Sequence, residues 1–196
     1  MIGALIAGLM SLIFAGTVAS QVPMHWGLNG LPDRYGSRWE ALLFIPIMLL
    51  VLSVVFGLIG LVSGNRLKIN ATKGINVVSA AMVIFLLVIH KMLLSQNHGA
   101  ILALIPVMLS GLLLVLGFAI KGIEPNPFIG IRVPWTMNSP MTWRITHERA
   151  SRLWMCAGAV GLILSLVGGN MVVPIIIFVF SILYPLFDSY RISKTV

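Results

Sequence analysis

Six stretches of this sequence are apolar for about as long as a helix needs to cross a bilayer. They run approximately 2–20, 41–63, 75–95, 100–120, 151–168 and 171–188. A hydrocarbon core of roughly 30 Å takes about 20 helical residues. Little chain is left between the runs. A water-soluble alternative fails on charge, because only 9% of the residues are charged, against roughly 25% in an ordinary soluble domain. The expected fold is therefore all-α: a polytopic membrane helical bundle of six transmembrane helices. It forms a single membrane domain over residues 1–196, with no soluble module. The first run lacks the basic start of a signal peptide and no clear cleavage site follows it, so it reads as a retained helix. Cys156 lies inside an apolar run and has no second cysteine to pair with.

The basic residues orient these spans. With both termini in the cytoplasm, the inner side carries Arg66, Lys68, Lys73, Lys121, Arg132, Arg144, Arg149, Arg152, Arg191 and Lys194, ten in all. The outer side carries three, Arg34, Arg38 and Lys91. This is the positive-inside bias, and the opposite orientation would invert it. The same bias accounts for the net charge of +8. No soluble basic module exists to bind nucleic acid directly, so the expected location is the inner membrane of a cell, multi-pass.

The span interiors hold few polar groups. Residues 41–63 carry Ser53 and Ser63, and residues 100–120 carry Ser110. The ionisable groups His90, Lys91 and Asp188 fall at span ends. A coupled transporter needs ionisable partners at mid-membrane, and no internal repeat of the transporter kind is present. Ala4, Gly8, Ser11, Ala15 and Ala19 form a small-residue stripe on the first span; Gly158, Gly161, Ser165 and Gly168 form another on the fifth. Both predict close helix packing. Pro46, Pro106, Pro174 and Pro185 predict kinks. Gly168, Gly169 and Asn170 predict a tight hairpin between the last two spans.

Two loops are richer than connectors. The first, Gln21 to Glu40, is expected outside as a series of turns, given its glycines and prolines. Trp26, Tyr35 and Trp39 suit the headgroup level. Ser37-Arg38-Trp39-Glu40 has capping-box spacing. The second loop, Lys121 to Arg152, is expected inside. Pro125, Pro127, Gly130 and Pro134 forbid a helix in its first half. Ser139-Pro140 then reads as an N-cap and first turn of a helix that runs on into the fifth span. Trp143, His147, Ala150 and Trp154 share one face of it; Arg144–Glu148 and Glu148–Arg152 are i,i+4 pairs on another.

No catalytic constellation is present: no Ser/His/Asp or Cys/His set and no phosphate loop. His25, Asp33, Glu40, His90 and His98 lack compact metal-ligand spacing, so no catalytic residue, metal or cofactor is expected. His25 and Asp33 are expected to bond loop backbone, with ligand contact the alternative. Arg132 near the helix start at Ser139 could hold an anion, or could bond loop carbonyls or lipid phosphate. Trp135 and Trp143 read as interfacial packing.

The second loop resembles the signature of the SdpI family of bacterial membrane proteins, through Asn126-Pro127, Gly130-Ile131-Arg132, Pro134-Trp135-Thr136, Trp143 and His147. The first resembles the domain that often precedes it, through Pro23, His25-Trp26, Gly30, Pro32-Asp33 and Tyr35. The family resemblance implies two helices flanking an outer loop in residues 1–63, and a four-helix part with a cytoplasmic motif loop in 64–196. The family's namesake protects a bacterium from its own secreted peptide toxin and holds a transcriptional repressor at the membrane. The resemblance thus implies an immunity and signalling protein whose partners are the lipid bilayer, a membrane-active peptide toxin outside and a repressor inside. Pro23, His25, Trp26, Gly30, Pro32, Asp33 and Tyr35 would face the toxin. Asn126, Pro127, Gly130, Arg132, Pro134, Trp135, Thr136, Trp143 and His147 would serve the inner face. A membrane enzyme or small-molecule exporter is the alternative.

Overall fold

A computed structural model describes residues 1–27, 31–63, 69–96, 98–167 and 172–196. Gly30, the turn expected at Gly168 to Asn170, and the side chains of Arg66, Lys68 and His98 lie outside the described residues. The element order is α1 (Ile2–Phe14), β1 (Gln21–Trp26), β2 (Pro32–Ser37), α2 (Arg38–Ser63), α3 (Ile69–Leu94), α4 (His98–Ala119), α5 (Pro134–Asn138), α6 (Pro140–Leu166) and α7 (Val172–Ser193). Among the described residues, three segments are long and apolar enough to cross a membrane: Arg38–Leu61, Thr72–Leu94 and Val172–Ser193. Ile2–Phe14 and Ala103–Ala119 are shorter apolar helices. Leu43, Phe44, Ile47, Leu50 and Val51 on α2, and Ile176, Val179, Phe180 and Leu183 on α7, stand exposed. Apolar faces of this length need lipid around them, and the chain is a helical membrane protein.

The chain divides into two compact units, Met1–Ser63 with Met82–Leu104, and Gly64–Ala81 with Ile105–Val196. In the first unit, α1 stops at Phe14, short of the expected 2–20, and passes through a turn into β1. Its buried face is Gly3, Ala7 and Ser11. Gly8, expected in the packed stripe, has open space around it, whereas a Cβ at Gly3 would stand 2.6 Å from Val83. Ala4, Ser11 and Ala15 of the expected stripe do pack, with Gly3 and Ala7 beside them, and Gly8 alone among these has open space. Ala7, Ile45, Leu49 and Leu86 form one core cluster; Val18, Val22, Ala41, Leu42, Leu93 and Leu94 form another beneath the strands.

In the second unit, α4, α6 and α7 pack around Leu113, Ile120, Ile123, Ile131, Trp143, Ala150 and Trp154. Gly158 and Gly161 let α6 approach α4 closely: a Cβ on Gly158 would be 2.8 Å from the Ser110 carbonyl, and one on Gly161 would collide with Ser110 Oγ. This is the expected small-residue contact of the fifth run. Trp154 Nε1 donates to the Ser181 carbonyl of α7 at 2.7 Å, and Ser151 Oγ to the Gly117 carbonyl of α4 at 2.7 Å. Pro46, Pro106 and Pro185 are inside helices, whereas Pro174 stands in the first turn of α7.

Candidate functional site

The first loop is not the plain series of turns expected. It is an antiparallel hairpin with Val22 opposite Gly36 and Pro23 opposite Tyr35. The Arg38 N–H donates to the Ser20 carbonyl at 3.1 Å. Counting on from that bond puts Pro23 in a non-hydrogen-bonded pair, where its missing N–H costs nothing. Val22 and Pro23 are buried, while β2 is largely exposed. Ser37 caps α2, its Oγ accepting from the Glu40 N–H at 3.2 Å. The Glu40 carboxylate pairs with Arg34 at 2.8 Å.

The hairpin brings His25 and Asp33 together. His25 Nδ1 is 2.5 Å from Asp33 Oδ1, and the two side chains are 66% and 51% exposed. They bond each other across the strands, whereas loop backbone was the expected partner. Tyr35 and, at the start of α2, Trp39 are exposed too, at 55% and 68%, so this end of the chain offers an accessible hydrogen-bonded pair and two accessible aromatic rings. Pro32 is half-buried beside them. No group of three or more metal-ligating side chains occurs among the described residues.

The same unit contains a polar knot that the sequence reading placed at a span end. His90 is fully buried, with Nε2 2.9 Å from Ser11 Oγ and 3.2 Å from the Ala7 carbonyl. Ser11 donates to the Leu42 carbonyl at 2.6 Å. With its one proton used there, Ser11 accepts from His90 Nε2–H. The knot ties α1, α2 and α3 together. An ionisable side chain in an apolar helix was the signal that could have identified it.

In the second unit the motif loop is built on its own side chains. The Asn126 carbonyl oxygen accepts from the N–H groups of Phe128 and Ile129, both at 2.9 Å. Its amide donates to the carbonyls of Glu124 and Ile129, both at 3.0 Å. One buried asparagine thereby replaces the ladder that Pro125 and Pro127 deny this segment. Gly130 follows at φ +126°, a backbone conformation that side chains rarely adopt. A Cβ there would lie 2.5 Å from His147 Nε2 and 2.9 Å from the Trp143 ring. Glycine lets the loop lie flat on those two rings, which stack with centroids 4.0 Å apart.

Trp143 is buried, not interfacial as expected, and its Nε1 donates to the Ile123 carbonyl at 2.8 Å. His147 has both ring nitrogens engaged. Nδ1–H donates to the Trp143 carbonyl at 2.8 Å, and Nε2 accepts the Ile131 N–H at 2.8 Å. These partners fix a neutral tautomer. Burial holds the imidazole below its ordinary pKa of 6.5, outweighing the opposite pull of the Trp143 carbonyl. Thr136 donates to the Ile131 carbonyl at 2.7 Å and accepts from the Val133 N–H at 3.1 Å, closing the turn that Pro134 opens into α5. Trp135 reaches α7, with Nε1 donating to Ser189 Oγ at 2.9 Å and its ring edge-on to Tyr190. No local signal in the sequence marks Ser189 as its partner.

Ser139 caps α6 as expected, accepting from the Thr142 N–H at 3.2 Å. Glu148 pairs with Arg152, while Arg144 reaches Met141 Sδ at 3.4 Å. Nearly every motif residue is thus spent on holding the loop. The exception is Arg132. It is exposed and has no side-chain hydrogen bond or ion pair among the described residues. Pro127 and Pro134 are also exposed.

Residues 122–187 match the model of the SdpI/YfhL protein family. Residues 2–50 match a domain of unknown function, DUF1648. The chain is 24% identical over 170 residues to the immunity protein SdpI of Bacillus subtilis (strain 168), covering 86% of this chain and 81% of that protein. No solved structure matches the chain. The two family matches enclose the hairpin and the motif loop respectively, and together with the relative they support the SdpI family.

Proposed function

We propose that this is an immunity and signalling protein of the SdpI family, with six spans and both termini in the cytoplasm. It protects the cell from a secreted, membrane-active peptide toxin and holds a transcriptional repressor at the membrane. The observation that carries the reading is the similarity to an immunity protein over most of both chains. The positive-inside count supports the orientation. In it the hairpin faces outside, where His25, Trp26, Pro32, Asp33 and Tyr35 meet the toxin, while Pro23, expected to face it too, is buried in the strand pair and supports them. The exposed His25–Asp33 pair and Tyr35 favour contact over a purely internal role.

The motif loop faces inside. Asn126, Gly130, Thr136, Trp135, Trp143 and His147 act as its scaffold, and Arg132 is the group left to grip a partner. Guanidinium is suited to a carboxylate on that partner. Binding, not catalysis, is the chemistry this arrangement offers. The test is deletion and re-expression under challenge with a panel of peptide bacteriocins. Loss of survival on deletion and recovery on re-expression are expected for at least one peptide; unchanged survival with every one would overturn the reading.

A further inference from the structure

A pocket of about 440 Å³ opens in the second unit, under the segment that leaves α4 and against the first two turns of α6. It is lined mainly by apolar surface, including Ile123 and Trp143, and rimmed by Lys121, Glu124, Arg144 and Glu148. The motif loop's own bonds do not use this space. Trp143 and His147 turn their polar atoms to backbone, so the floor offers little for water to bond. A cavity without polar partners holds water poorly, and protein interiors are otherwise close-packed.

Position says what fills it. Lys121 follows the last turn of apolar α4, and Arg144 lies two turns before the apolar half of α6 begins near Ser151. The pocket therefore stands at the membrane end of two apolar helices, within reach of lipid. Its rim carries two cations and two carboxylates, and the cations are the groups a phosphate would meet. Glu148 is engaged by Arg152. Lys121 is exposed with no ion pair among the described residues, and Arg144 has only the Met141 sulfur.

We propose that this pocket binds one glycerophospholipid. The phosphate lies between Lys121 and Arg144, and the start of one acyl chain lies on Ile123 and Trp143, the rest of the chain remaining in the bilayer. This inference rests on the membrane character of the chain and not on the toxin reading.

Native mass spectrometry of the full chain in detergent, titrated with phosphatidylglycerol, tests it. One lipid retained per chain is expected. Lys121→Ala with Arg144→Ala should weaken retention about tenfold or more, at about 1 kcal/mol per basic residue. Both positions are exposed, so folding is spared. Arg191→Ala with Lys194→Ala, the same charge change at the end of α7, should leave retention unaltered. Diacylglycerol, with chains but no phosphate, should not be retained, and inorganic phosphate should not displace the lipid. Equal retention by the Lys121 and Arg144 variant, equal binding of diacylglycerol, or displacement by phosphate alone would each overturn the proposal.

Discussion

Gly130 and His147 meet in the motif loop, and each constrains what the other can become. At Gly130 any Cβ meets His147 Nε2 and the Trp143 ring at a positive φ. Gly130→Ala should therefore cost roughly 1–3 kcal/mol, seen as a lower midpoint in thermal melts of purified protein. His147 accepts the Ile131 N–H only while neutral. Its folded pKa is depressed, so the unfolded chain takes up the proton first. The stabilisation is complete above pH 6.5 and is lost as the pH falls through the folded value. Melting at pH 5 should be lower than at pH 7.5, with the difference reduced in His147→Gln. Thr146 provides a converse case. Its Oγ1 is buried without a partner among the described residues, so Thr146→Val should raise stability by about 1 kcal/mol; a drop in melting temperature would show that the hydroxyl has a role.

At the scale of elements, the hairpin and the motif loop differ in how they spend their polar residues. In the hairpin, His25 and Asp33 form an exposed pair, of the kind worth about 0–1 kcal/mol. Asp33→Ala should leave the melting temperature nearly unchanged yet weaken protection, a combination that a purely structural pair would not give. Arg132→Ala should spare protection and reduce regulatory output, read from a reporter under the repressor's control at matched membrane levels.

The helix start at Ser139 and the shared face of Trp143, His147, Ala150 and Trp154 were legible in the sequence, because capping and helical spacing are local signals; the burial of that face was not, since tryptophans beside an apolar span equally suit the interface. The hairpin was not. Pro23, Gly27, Gly30, Pro32 and Gly36 signal turns, and the pairing that absorbs Pro23 exists only once both strands are in register. Nor was the bond from Trp135 to Ser189, whose partners lie 54 residues apart. On α1 the packed face takes in Gly3 and Ala7 as well as Ala4 and Ser11, because residues this small pack equally well and the approach to Val83 decides which turn furthest inward.

For the molecule as a whole, the apolar runs were enough to place the chain in lipid, since composition and run length are properties of the chain itself. Orientation rests on the ten-to-three distribution of basic residues. A reporter fused after Val196 should be cytoplasmic and one inserted at Asn29 extracytoplasmic; a C-terminal reporter outside the membrane would exchange the faces of both loops. The division between an outer hairpin and an inner scaffold depends on that result, and the proposed protection requires the hairpin to be accessible from outside. The most direct measurement is survival of a deletion strain against membrane-active peptides, those secreted by its own parent strain included. The strain is complemented with the intact chain or with Asp33→Ala at equal membrane abundance. Rescue by the intact chain and weaker rescue by Asp33→Ala are predicted. A deletion strain as resistant as its parent to every peptide would contradict the account.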